Sequence, residues 1–537
     1  MTSTLSGSGT GPPDPAPAGP RAGTSPPRRV SRVVGALGPA VLVAAVALVC
    51  RLVPLLRGGG LFGLGSYDDG VHMAAALAWV HGATPYRDFL FLQPPGVLVA
   101  LAPFATLGAL THEGLGFAAA RLAWVAMGAA NAVLVTRIAR PLGAWPALLG
   151  GLFYAVWWPA VYVERTTMLE GLGNVTLLLA LLALARADRV SSGHRSWSGW
   201  PLLAGLALGF GAGVKIWGVL AALLVAVWQL APERRRRLPG LLAGFTAAGA
   251  LVYLPFFVAA PRAMWHQVVT VQLGRSGEPS TVWHRLTLIG GLEPWRPAHP
   301  VLAGVVLLAV VALTLAAGVP TARLPVLLAL AYGLLLFALT PNLFRQYPAV
   351  LAGPAALVVA AAAARLLGLR CRVPRRGRGP RAAAGVLLVV AVLALGLPGL
   401  GQRLGTRFPA AALAPVVRTL PGCLTSDEPT VLIELDQVGR TVERGCRVVV
   451  DYGGYAYDPP PALTVGPHGP RTPRQLRRIR DTAGWQADLR AYLATGSGAF
   501  HVRNRGSGPA AARSWAVWTS WPVLARHGDV VLRRPPR

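Results

Sequence analysis

Two adjacent carboxylates, Asp68 and Asp69, are the residues whose types and spacing most favour chemistry. Neighbouring carboxylates repel each other, and this pair directly precedes an apolar stretch, residues 71–80. A carboxylate close to hydrocarbon is costly and is retained mostly for function. We therefore interpret the pair as part of a functional site. The alternative, a solvated loop, explains Glu278 and Glu293 better than it explains this pair.

The single lysine of the chain, Lys215, is the second side chain in a distinctive position. It lies between two apolar stretches, in a chain that otherwise uses arginine. A lone ammonium there either snorkels to the membrane surface or contacts a phosphate or carboxylate in a water-filled cavity. We favour the second interpretation, because the position does not fit the arginine pattern that marks topology.

The composition indicates which class of protein must position these residues. Of the 537 residues, 53% are hydrophobic and 13% are charged, against about 25% charged in an ordinary soluble domain. The mean hydropathy is +0.50, and uncharged blocks such as residues 301–317 are long enough to span a membrane. These features exclude a soluble enzyme and predict a polytopic α-helical membrane protein. The formal charge of +30 comes from arginines between apolar blocks, which indicate topology and lipid-headgroup contacts rather than nucleic-acid binding.

The arginine clusters orient the spans, because loops rich in arginine stay in the cytoplasm. Placing all clusters inside gives about eleven spans, a cytoplasmic N-terminus and an external C-terminal segment. The clusters are at 21–32, 137–140, 186–195, 234–237, around 323 and at 365–381. The predicted spans are 33–56, 117–138, 142–160, 168–186, 200–214, 216–231, 239–259, 300–318, 324–340, 347–366 and 382–398. Within the first external loop, residues 67–81 and 95–107 are predicted to be helices lying at the membrane surface.

This pattern divides the chain into three parts. Residues 1–32 are predicted to be a disordered basic cytoplasmic tail, residues 33–399 a transmembrane domain, and residues 400–537 a small external α+β domain. In the last part the predicted strands are 431–435, 447–452, 499–502, 515–518 and 529–532, with a helix at 475–493. Cys423 and Cys446 either form a disulfide there or are two small core residues.

The acidic residues gather on one side of this topology. Of the eleven before position 400, eight fall in the predicted external loops: Asp68, Asp69, Asp88, Glu113, Glu164, Glu170, Glu278 and Glu293. External cations include Arg87 and Arg345, and a site that handles a phosphorylated lipid needs cations at the level of the headgroups. Arg87 could equally pair with the adjacent Asp88.

Three short motifs in the first external loop carry a resemblance to a known family. They are Tyr67-Asp68-Asp69-Gly70, Tyr86-Arg87-Asp88-Phe89 and Gln93-Pro94-Pro95-Gly96. In order and approximate spacing, they resemble the GT-C membrane glycosyltransferases, in the branch of the protein O-mannosyltransferases and aminoarabinose transferases. The resemblance covers about residues 50–370, and Glu170 and Lys215 match further positions of the family. Asp69 stands where glutamate is commoner, and Gln93 stands where the aminoarabinose transferases have lysine.

The resemblance implies a mechanism and a set of site residues. The donor would be a polyprenyl-phosphate sugar, with a mannose-like sugar favoured, and the acceptor a protein, lipid or glycan outside the cytoplasm. Asp68, with Asp69 beside it, would act as general base, worth about 10²–10⁴ in rate. Lys215, with Arg87 or Arg345, would stabilise the leaving phosphate. The residues that would orient donor or acceptor are Asp69, Asp88, Gln93, Glu164, Glu170 and Tyr347. No cofactor is demanded, and a divalent cation held by Asp68 and Glu170 stays an open alternative.

Two other classes of function compete with this interpretation. A transporter or flippase of lipid-linked saccharides would place charges near the middle of the bilayer, often with inverted repeats, whereas the acids here lie on one face and no repeat is found. A non-catalytic scaffold built around the C-terminal domain would be indifferent to the loss of Asp68. The favoured prediction is a multi-pass glycosyltransferase of the plasma membrane.

Overall fold

The computed structural model describes residues 28–190, 199–274, 280–295, 323–340, 342–367, 378–456, 483–502 and 510–536, with a few positions between 301 and 312. The chain divides into two units, residues 1–38 and residues 39–537. The first unit contains, among its described residues, the start of a helix. All the candidate site residues belong to the second unit.

The described part of the chain is mainly helical, and its first sixteen α-helices lie before residue 402. They are α1 Arg28–Gly58, α2 Tyr67–Val80, α3 Gly96–Leu110, α4 Glu113–Ala139, α5 Ala144–Val156, α6 Trp158–Val163, α7 Leu169–Val190, α8 Trp200–Val214, α9 Gly218–Gln229, α10 Leu238–Ala259, α11 Pro261–Trp265, α12 Val271–Leu273, α13 Val282–Ile289, α14 Arg323–Leu334, α15 Ala352–Leu366 and α16 Arg378–Gly401. A π-helical turn, Leu335–Leu339, continues α14, and a 3₁₀ turn, Tyr347–Leu351, leads into α15.

Six helical segments of the described chain are long and apolar enough to cross a membrane, namely those of α1, α4, α7, α10 and α16 and the segment Tyr347–Leu366, which joins the 3₁₀ turn to α15. Five shorter apolar helices accompany them, Gly96–Leu110, Ala144–Val156, Trp200–Val214, Gly218–Gln229 and Arg323–Leu339. The prediction of a polytopic helical protein is confirmed, while the number of eleven spans stays a prediction. The predicted span 300–318 lies mostly outside the described residues.

Small residues allow the central helices to approach closely. A Cβ added to Gly205 of α8 would lie 2.0 Å from the carbonyl oxygen of Leu241, and one added to Gly244 of α10 would lie 2.2 Å from that of Leu202. Glycines at such crossings let helix backbones pack directly against each other, as is common between membrane helices. The close contact fixes α8, and with it the position of the lysine that follows this helix.

The first predicted external loop contains the two expected helices, α2 and α3. The predicted ranges 67–81 and 95–107 agree with the observed ends to within three residues. The prediction of one continuous helix over 142–160 is wrong, because α5 ends at Val156 and α6 begins at Trp158. Pro159, in the first turn of α6, has no N–H to continue the hydrogen-bond ladder of the preceding helix.

The C-terminal segment contains a four-stranded sheet of order β1-β2-β4-β3. The strands are β1 Leu424–Ser426, β2 Gly498–Phe500, β3 Val523–His527 and β4 Val530–Arg533, with β1 and β2 parallel and the other pairs antiparallel. The helices are α17 Ala410–Arg418, α18 Pro429–Glu434, α19 Val438–Glu443, α20 Ala483–Ala494 and α21 Ala512–Ser520. The predicted α+β class and a disulfide between Cys423 and Cys446 are present.

Three of the five predicted strands are wrong. Residues 431–435 fall mainly in α18, residues 515–518 lie within α21, and residues 447–452 form no strand. A short buried apolar run does not distinguish strand from helix by periodicity, and Pro429 favours a helix start. The predicted strands at 499–502 and 529–532 are confirmed by β2 and β4. The predicted helix at 475–493 is seen from Ala483, and its first residues lie outside the described part.

One hydrophobic core joins the first-loop helices to the C-terminal segment. Val71 and Leu77 of α2 belong to the same buried cluster as Val431, Ile433 and Val438. Burying these side chains together stabilises the contact between α2 and the C-terminal segment. The C-terminal segment therefore helps to hold α2, whose first turn contains the two aspartates, in place.

Candidate active site

Asp68 lies in the first turn of α2, next to the positive end of the helix dipole, where a carboxylate is favoured. Its side chain is half-buried. Gln346 Nε2 donates a hydrogen bond of 2.9 Å to Asp68 Oδ2. Among the described residues, none donates a hydrogen bond to Asp68 Oδ1. One carboxylate oxygen is thus fixed in place, and the other is left to accept a proton or a hydrogen bond from another molecule.

Asp69 has the opposite environment, since it is completely buried and its oxygens are fully occupied. Arg121 donates to Oδ2 from Nε at 3.0 Å and from Nη2 at 2.7 Å. The backbone N–H and the hydroxyl of Thr167 each donate to Oδ1 at 2.7 Å. The structure places Asp69 inside the fold, where it ties α2 to α4 and to the segment before α7.

Lys215 and Glu170 form an ion pair at the junction of α7 and α8. Lys215 directly follows α8 in extended conformation, and its Nζ donates to Glu170 Oε1 in the first turn of α7. The side chain of Lys215 is 12% exposed and that of Glu170 is 2% exposed. The ring centroids of Trp217 and Tyr347 each lie 4.2 Å from Nζ. Such cation–π contacts are worth from about 0.5 kcal/mol at exposed sites to about 2 kcal/mol when desolvated.

The dipeptide Gln346-Tyr347 connects the aspartate to the lysine. Gln346 contacts Asp68, and the next residue, Tyr347, covers Lys215 and packs edge-on against Trp217 with ring centroids 4.6 Å apart. Sequence reasoning assigned no role to Gln346 or Trp217. In the sequence these two residues are marked only by their position, since Gln346 precedes Tyr347 and Trp217 lies two positions after Lys215.

A small cavity of about 30 Å³ opens beside this pair. Its wall contains Glu170, Lys215 and Trp217, together with Asn174 and Tyr332. The Tyr332 hydroxyl donates to the carbonyl oxygen of Trp217 at 3.2 Å, which helps to fix the indole. The cavity therefore combines a cation, a carboxylate and aromatic faces, the side chains that suit a phosphate and a sugar ring.

Glu164 lies away from this cavity, in a buried polar cluster of the helical core. Arg51 Nε donates to it at 3.0 Å, Asn131 Nδ2 at 2.7 Å and the Tyr154 hydroxyl at 2.6 Å. Its carboxylate is completely buried. Of the two acids predicted in this segment, only Glu170 reaches the cavity.

The two predicted headgroup cations are exposed and paired with neighbouring acids. Arg87 Nε lies 2.8 Å from Asp88 Oδ1, and the Arg87 guanidinium holds the pKa of Asp88 below its usual range. Arg345 Nε lies 2.7 Å from Glu293 Oε1 and is 63% exposed. Among the described residues, no hydrogen bond or ion pair joins either arginine to Asp68 or Lys215.

Gln93 contributes its backbone, since its carbonyl oxygen accepts a hydrogen bond of 2.8 Å from the Tyr86 hydroxyl. Its side chain is half-buried. Tyr86 adopts a positive φ of 69°, a conformation that is uncommon for a residue with a Cβ. Gln267 holds it there, donating from Nε2 to the Tyr86 carbonyl oxygen at 2.9 Å. The loop with the second and third motifs is thus rigidly shaped beside the site.

The C-terminal segment holds the residues on either side of Asp68. The Tyr67 hydroxyl donates to Asp451 Oδ1 at 3.1 Å and accepts from the backbone N–H of Gly453 at 2.8 Å. A Cβ added to Gly70 would lie 2.2 Å from Thr430 Oγ1. The backbone around Asp68 therefore depends on contacts with residues more than 350 positions away.

Glu434 extends the buried charge cluster behind Asp69. Its Oε1 lies 3.9 Å from Arg121 Nη1. Burial raises the pKa of Glu434 to about 8, although Arg121 acts in the opposite direction. Glu434 is therefore mainly protonated at neutral pH, and Arg121 has its closer contacts with Asp69.

The described residues contain no group of three or more His, Cys, Asp or Glu side chains arranged to hold a metal ion. Glu170, one of the two candidate cation ligands, contacts Lys215 instead. The alternative of a cation between Asp68 and Glu170 gains no support from this arrangement.

The comparisons with known proteins concern the fold. No family model matches the sequence, and no curated protein matches it in sequence. Among solved structures, ArnT from Cupriavidus metallidurans bound to undecaprenyl phosphate is similar over 93% of this chain and 98% of its own, with 17% identity and a TM-score of 0.57. The oligosaccharyltransferase of Archaeoglobus fulgidus tethered with an acceptor peptide is similar over 77% and 63%, with 14% identity and a TM-score of 0.51.

A third similar structure is the archaeal oligosaccharyltransferase AglB from Archaeoglobus fulgidus in complex with an inhibitory peptide and a dolichol-phosphate. It matches over 76% of this chain and 64% of its own, with 11% identity and a TM-score of 0.51. The chain therefore has the fold of the GT-C membrane glycosyltransferases. The resemblance drawn from the three first-loop motifs is confirmed at the level of the fold.

Proposed function

We propose that the protein is a membrane glycosyltransferase that moves a sugar from a polyprenyl-phosphate donor to an acceptor hydroxyl outside the cytoplasm. The observation that carries this proposal is the link from Asp68 through Gln346 and Tyr347 to Lys215. It joins a carboxylate with one unoccupied oxygen to a cation in a cavity. The fold shared with ArnT, whose structure holds undecaprenyl phosphate, supports the same function.

Asp68 acts as the general base. Its Oδ1 accepts the proton of the acceptor hydroxyl while that oxygen attacks the anomeric carbon of the sugar. The bond between this carbon and the phosphate oxygen breaks, and its electron pair leaves with the lipid phosphate. A single displacement of this kind inverts the configuration at the anomeric carbon. The hydrogen bond from Gln346 keeps the carboxylate in one orientation during the transfer.

Lys215 stabilises the negative charge that develops on the leaving phosphate. An ammonium has three donors, and one is used on Glu170, so two are available to the phosphate. Electrostatic stabilisation of this type is often the largest single contribution to catalysis. The rings of Tyr347 and Trp217 exclude water from Nζ and present apolar faces to the sugar, for which we favour mannose.

The remaining candidate residues take supporting roles. Arg87 and Arg345 meet the lipid phosphate at the membrane surface, exchanging their partners Asp88 and Glu293 for it. Gln93 lines the approach to the site next to Tyr86. Asp69 and Glu164 act from inside the fold by fixing α2 and the segment before α7.

The topology assigned to the protein is eleven spans in the plasma membrane, with the N-terminus in the cytoplasm and residues 400–537 outside. The disulfide between Cys423 and Cys446 supports this, because disulfides persist in oxidising compartments. The last turn of α7 carries Arg189, whereas its first turn carries Glu170. That asymmetry agrees with the positive-inside rule.

The test is a transfer assay in membranes that contain the protein, with radiolabelled polyprenyl-phosphate mannose and endogenous acceptors. Asp68→Asn is expected to abolish transfer, since loss of a positioned base costs about 10²–10⁴ in rate. Asp529→Asn, the same change at an exposed position of the β3–β4 turn, is the matched control and retains transfer. Equal transfer by wild type and Asp68→Asn would contradict the proposal, and a panel of other lipid-linked sugars tests the choice of mannose.

A further inference from the structure

A second cavity lies at the opposite end of α7 from the Lys215–Glu170 pair. It has a volume of about 440 Å³ and opens where α4, α7, α9, α14 and α15 meet. Glu170 and Asp188 are 18 positions apart on α7, which at about 1.5 Å per residue is about 27 Å. The hydrocarbon core of a bilayer is about 30 Å thick. The second cavity therefore lies at the level of the headgroups of the other leaflet.

The mouth of this cavity is basic. Arg189, Arg234 and Arg237 line it together with one carboxylate, Asp188. Arg237 donates to Asp188, and Arg234 lies 4.8 Å from the ring centroid of Trp228. Three guanidinium groups against one carboxylate leave the mouth with an excess of positive charge. Planar guanidinium groups are well suited to binding a phosphate with two parallel hydrogen bonds.

The outer partner of Arg234 does not neutralise this excess. Glu233 Oε1 lies 3.0 Å from Arg234 Nη1, but the Glu233 side chain is 61% exposed, whereas that of Arg234 is 27% exposed. An exposed ion pair is worth about 0–1 kcal/mol, so the guanidinium can exchange this partner for a phosphate at small cost.

A buried amide in the cavity wall indicates which further group a ligand of this cavity would carry. Gln229, the last residue of α9, lines the cavity and is 1% exposed. Its Oε1 accepts no hydrogen bond from any described residue. A buried acceptor without a partner costs about 1–3 kcal/mol. A ligand that carries a hydroxyl next to its phosphate would remove this cost.

The inner walls of the cavity are apolar. Leu181 and Leu184 of α7, Leu324 of α14 and Leu357 of α15 line it. These side chains suit an acyl chain and do not suit a free anion such as inorganic phosphate. The combination of a basic mouth, a buried acceptor and an apolar interior is that of a site for a membrane lipid.

We propose that this cavity binds an anionic phospholipid with a hydroxyl-bearing headgroup, drawn from the leaflet opposite the Asp68 site. The phosphate contacts Arg234 and Arg189, a headgroup hydroxyl donates to Gln229 Oε1, and one acyl chain enters the leucine-lined interior. The site is separate from the proposed transfer chemistry and does not depend on it.

The test is native mass spectrometry of the purified full-length protein with phosphatidylglycerol, phosphatidylethanol and phosphatidylcholine. Wild type is expected to bind phosphatidylglycerol most tightly, because only this lipid has both the net charge and the hydroxyl groups. Arg234→Gln is expected to bind it about fivefold more weakly, the factor that corresponds to about 1 kcal/mol per arginine near headgroups. Gln229→Leu is expected to bind phosphatidylglycerol and phosphatidylethanol equally.

The matched control is Arg262→Gln, an exposed arginine beyond the other end of α10. It is expected to bind phosphatidylglycerol like wild type, and melting temperatures confirm that each variant is folded. Equal affinity of Arg234→Gln and Arg262→Gln would overturn the proposal, as would equal binding of phosphatidylcholine by wild type. Preferential retention of a polyprenyl phosphate would overturn the assignment to a phospholipid. Lipid binding is measured without a transfer reaction, so a failure here is distinct from a failure of the proposed function.

Discussion

Asp68 and Asp69 are neighbours in the chain and belong to two regions with opposite properties. The closed cluster consists of Asp69, Arg121, Thr167 and Glu434, which are all buried and bonded to one another or packed together. The open cluster consists of Asp68, Gln346, Tyr347, Lys215 and Glu170, and its members Lys215 and Glu170 border a cavity. Both carboxylate oxygens of Asp69 accept hydrogen bonds, whereas Asp68 Oδ1 accepts none from the described residues.

Helix geometry explains how adjacent residues come to differ so much. Successive residues of an α-helix point about 100° apart, so two aspartates in one turn face different surroundings. In α2 one faces the core formed with α4, and the other faces the dipeptide Gln346-Tyr347. Under the proposed function the pair divides its work, with Asp69 fixing the backbone and Asp68 meeting the substrate.

The largest expected effect concerns the closed cluster. Asp69→Asn leaves the buried Arg121 without its carboxylate, and breaking one partner of a buried ion pair costs about 3–5 kcal/mol. Thermal unfolding in detergent should show this loss for Asp69→Asn and a much smaller one for Asp68→Asn. Similar melting temperatures for the two variants would remove the distinction between the clusters.

The closed cluster is also expected to respond to pH through Glu434. Because burial raises its pKa to about 8, Glu434 favours the folded state when protonated. This contribution is complete below about pH 4.5 and is lost as the pH rises through about 8, a destabilisation of the order of 5 kcal/mol. Glu434→Gln should remove that decline when stability is measured across the same pH range, and parallel curves for the two proteins would refute it.

In the open cluster, Lys215→Met is expected to lower kcat by about 10²–10³, as the removal of a donor to developing charge does elsewhere. The same change leaves Glu170 buried without a cation and so also lowers stability. The double variant Lys215→Met/Glu170→Gln separates the two effects. It should regain much of the stability and none of the activity, whereas recovered activity would mean that the lysine is structural.

A smaller effect is expected for Gln346→Leu. It removes the hydrogen bond to the Asp68 carboxylate, and a bond to a charged group is worth about 1.5–3 kcal/mol. We expect kcat to fall about tenfold with little change in KM or melting temperature, because the residue orients the base and does not bind the donor. A change confined to KM would instead assign Gln346 to substrate binding.

Much of the open cluster was predictable from residue types alone. Lys215 is the only lysine of the chain, and an acidic pair before an apolar helix is unusual, so both positions were identified without a structure. The distinction between Asp68 and Asp69 was not, because it depends on Arg121 and Thr167, which are 52 and 98 positions from Asp69. Gln346 is 278 positions from Asp68, and its local sequence marks it only by its place beside Tyr347.

The fold was predictable where hydrophobic periodicity extends over a whole helix. The predicted ends of α8 agree with the observed helix, Trp200–Val214. In the C-terminal segment the apolar runs are only four to six residues long, and α18 was predicted as a strand. Over such lengths tertiary packing decides between helix and strand, and here α18 packs on α2.

The hydrogen bond between Tyr67 and Asp451 joins residues 384 positions apart. At a synthesis rate of about 5–20 residues per second, that interval corresponds to about 20–80 s. During this time α2 has already emerged, while the part of the chain that positions its first turn has yet to be made. The nascent chain therefore lacks the contact that holds the backbone around Asp68 until its C-terminal segment has been synthesised and has folded.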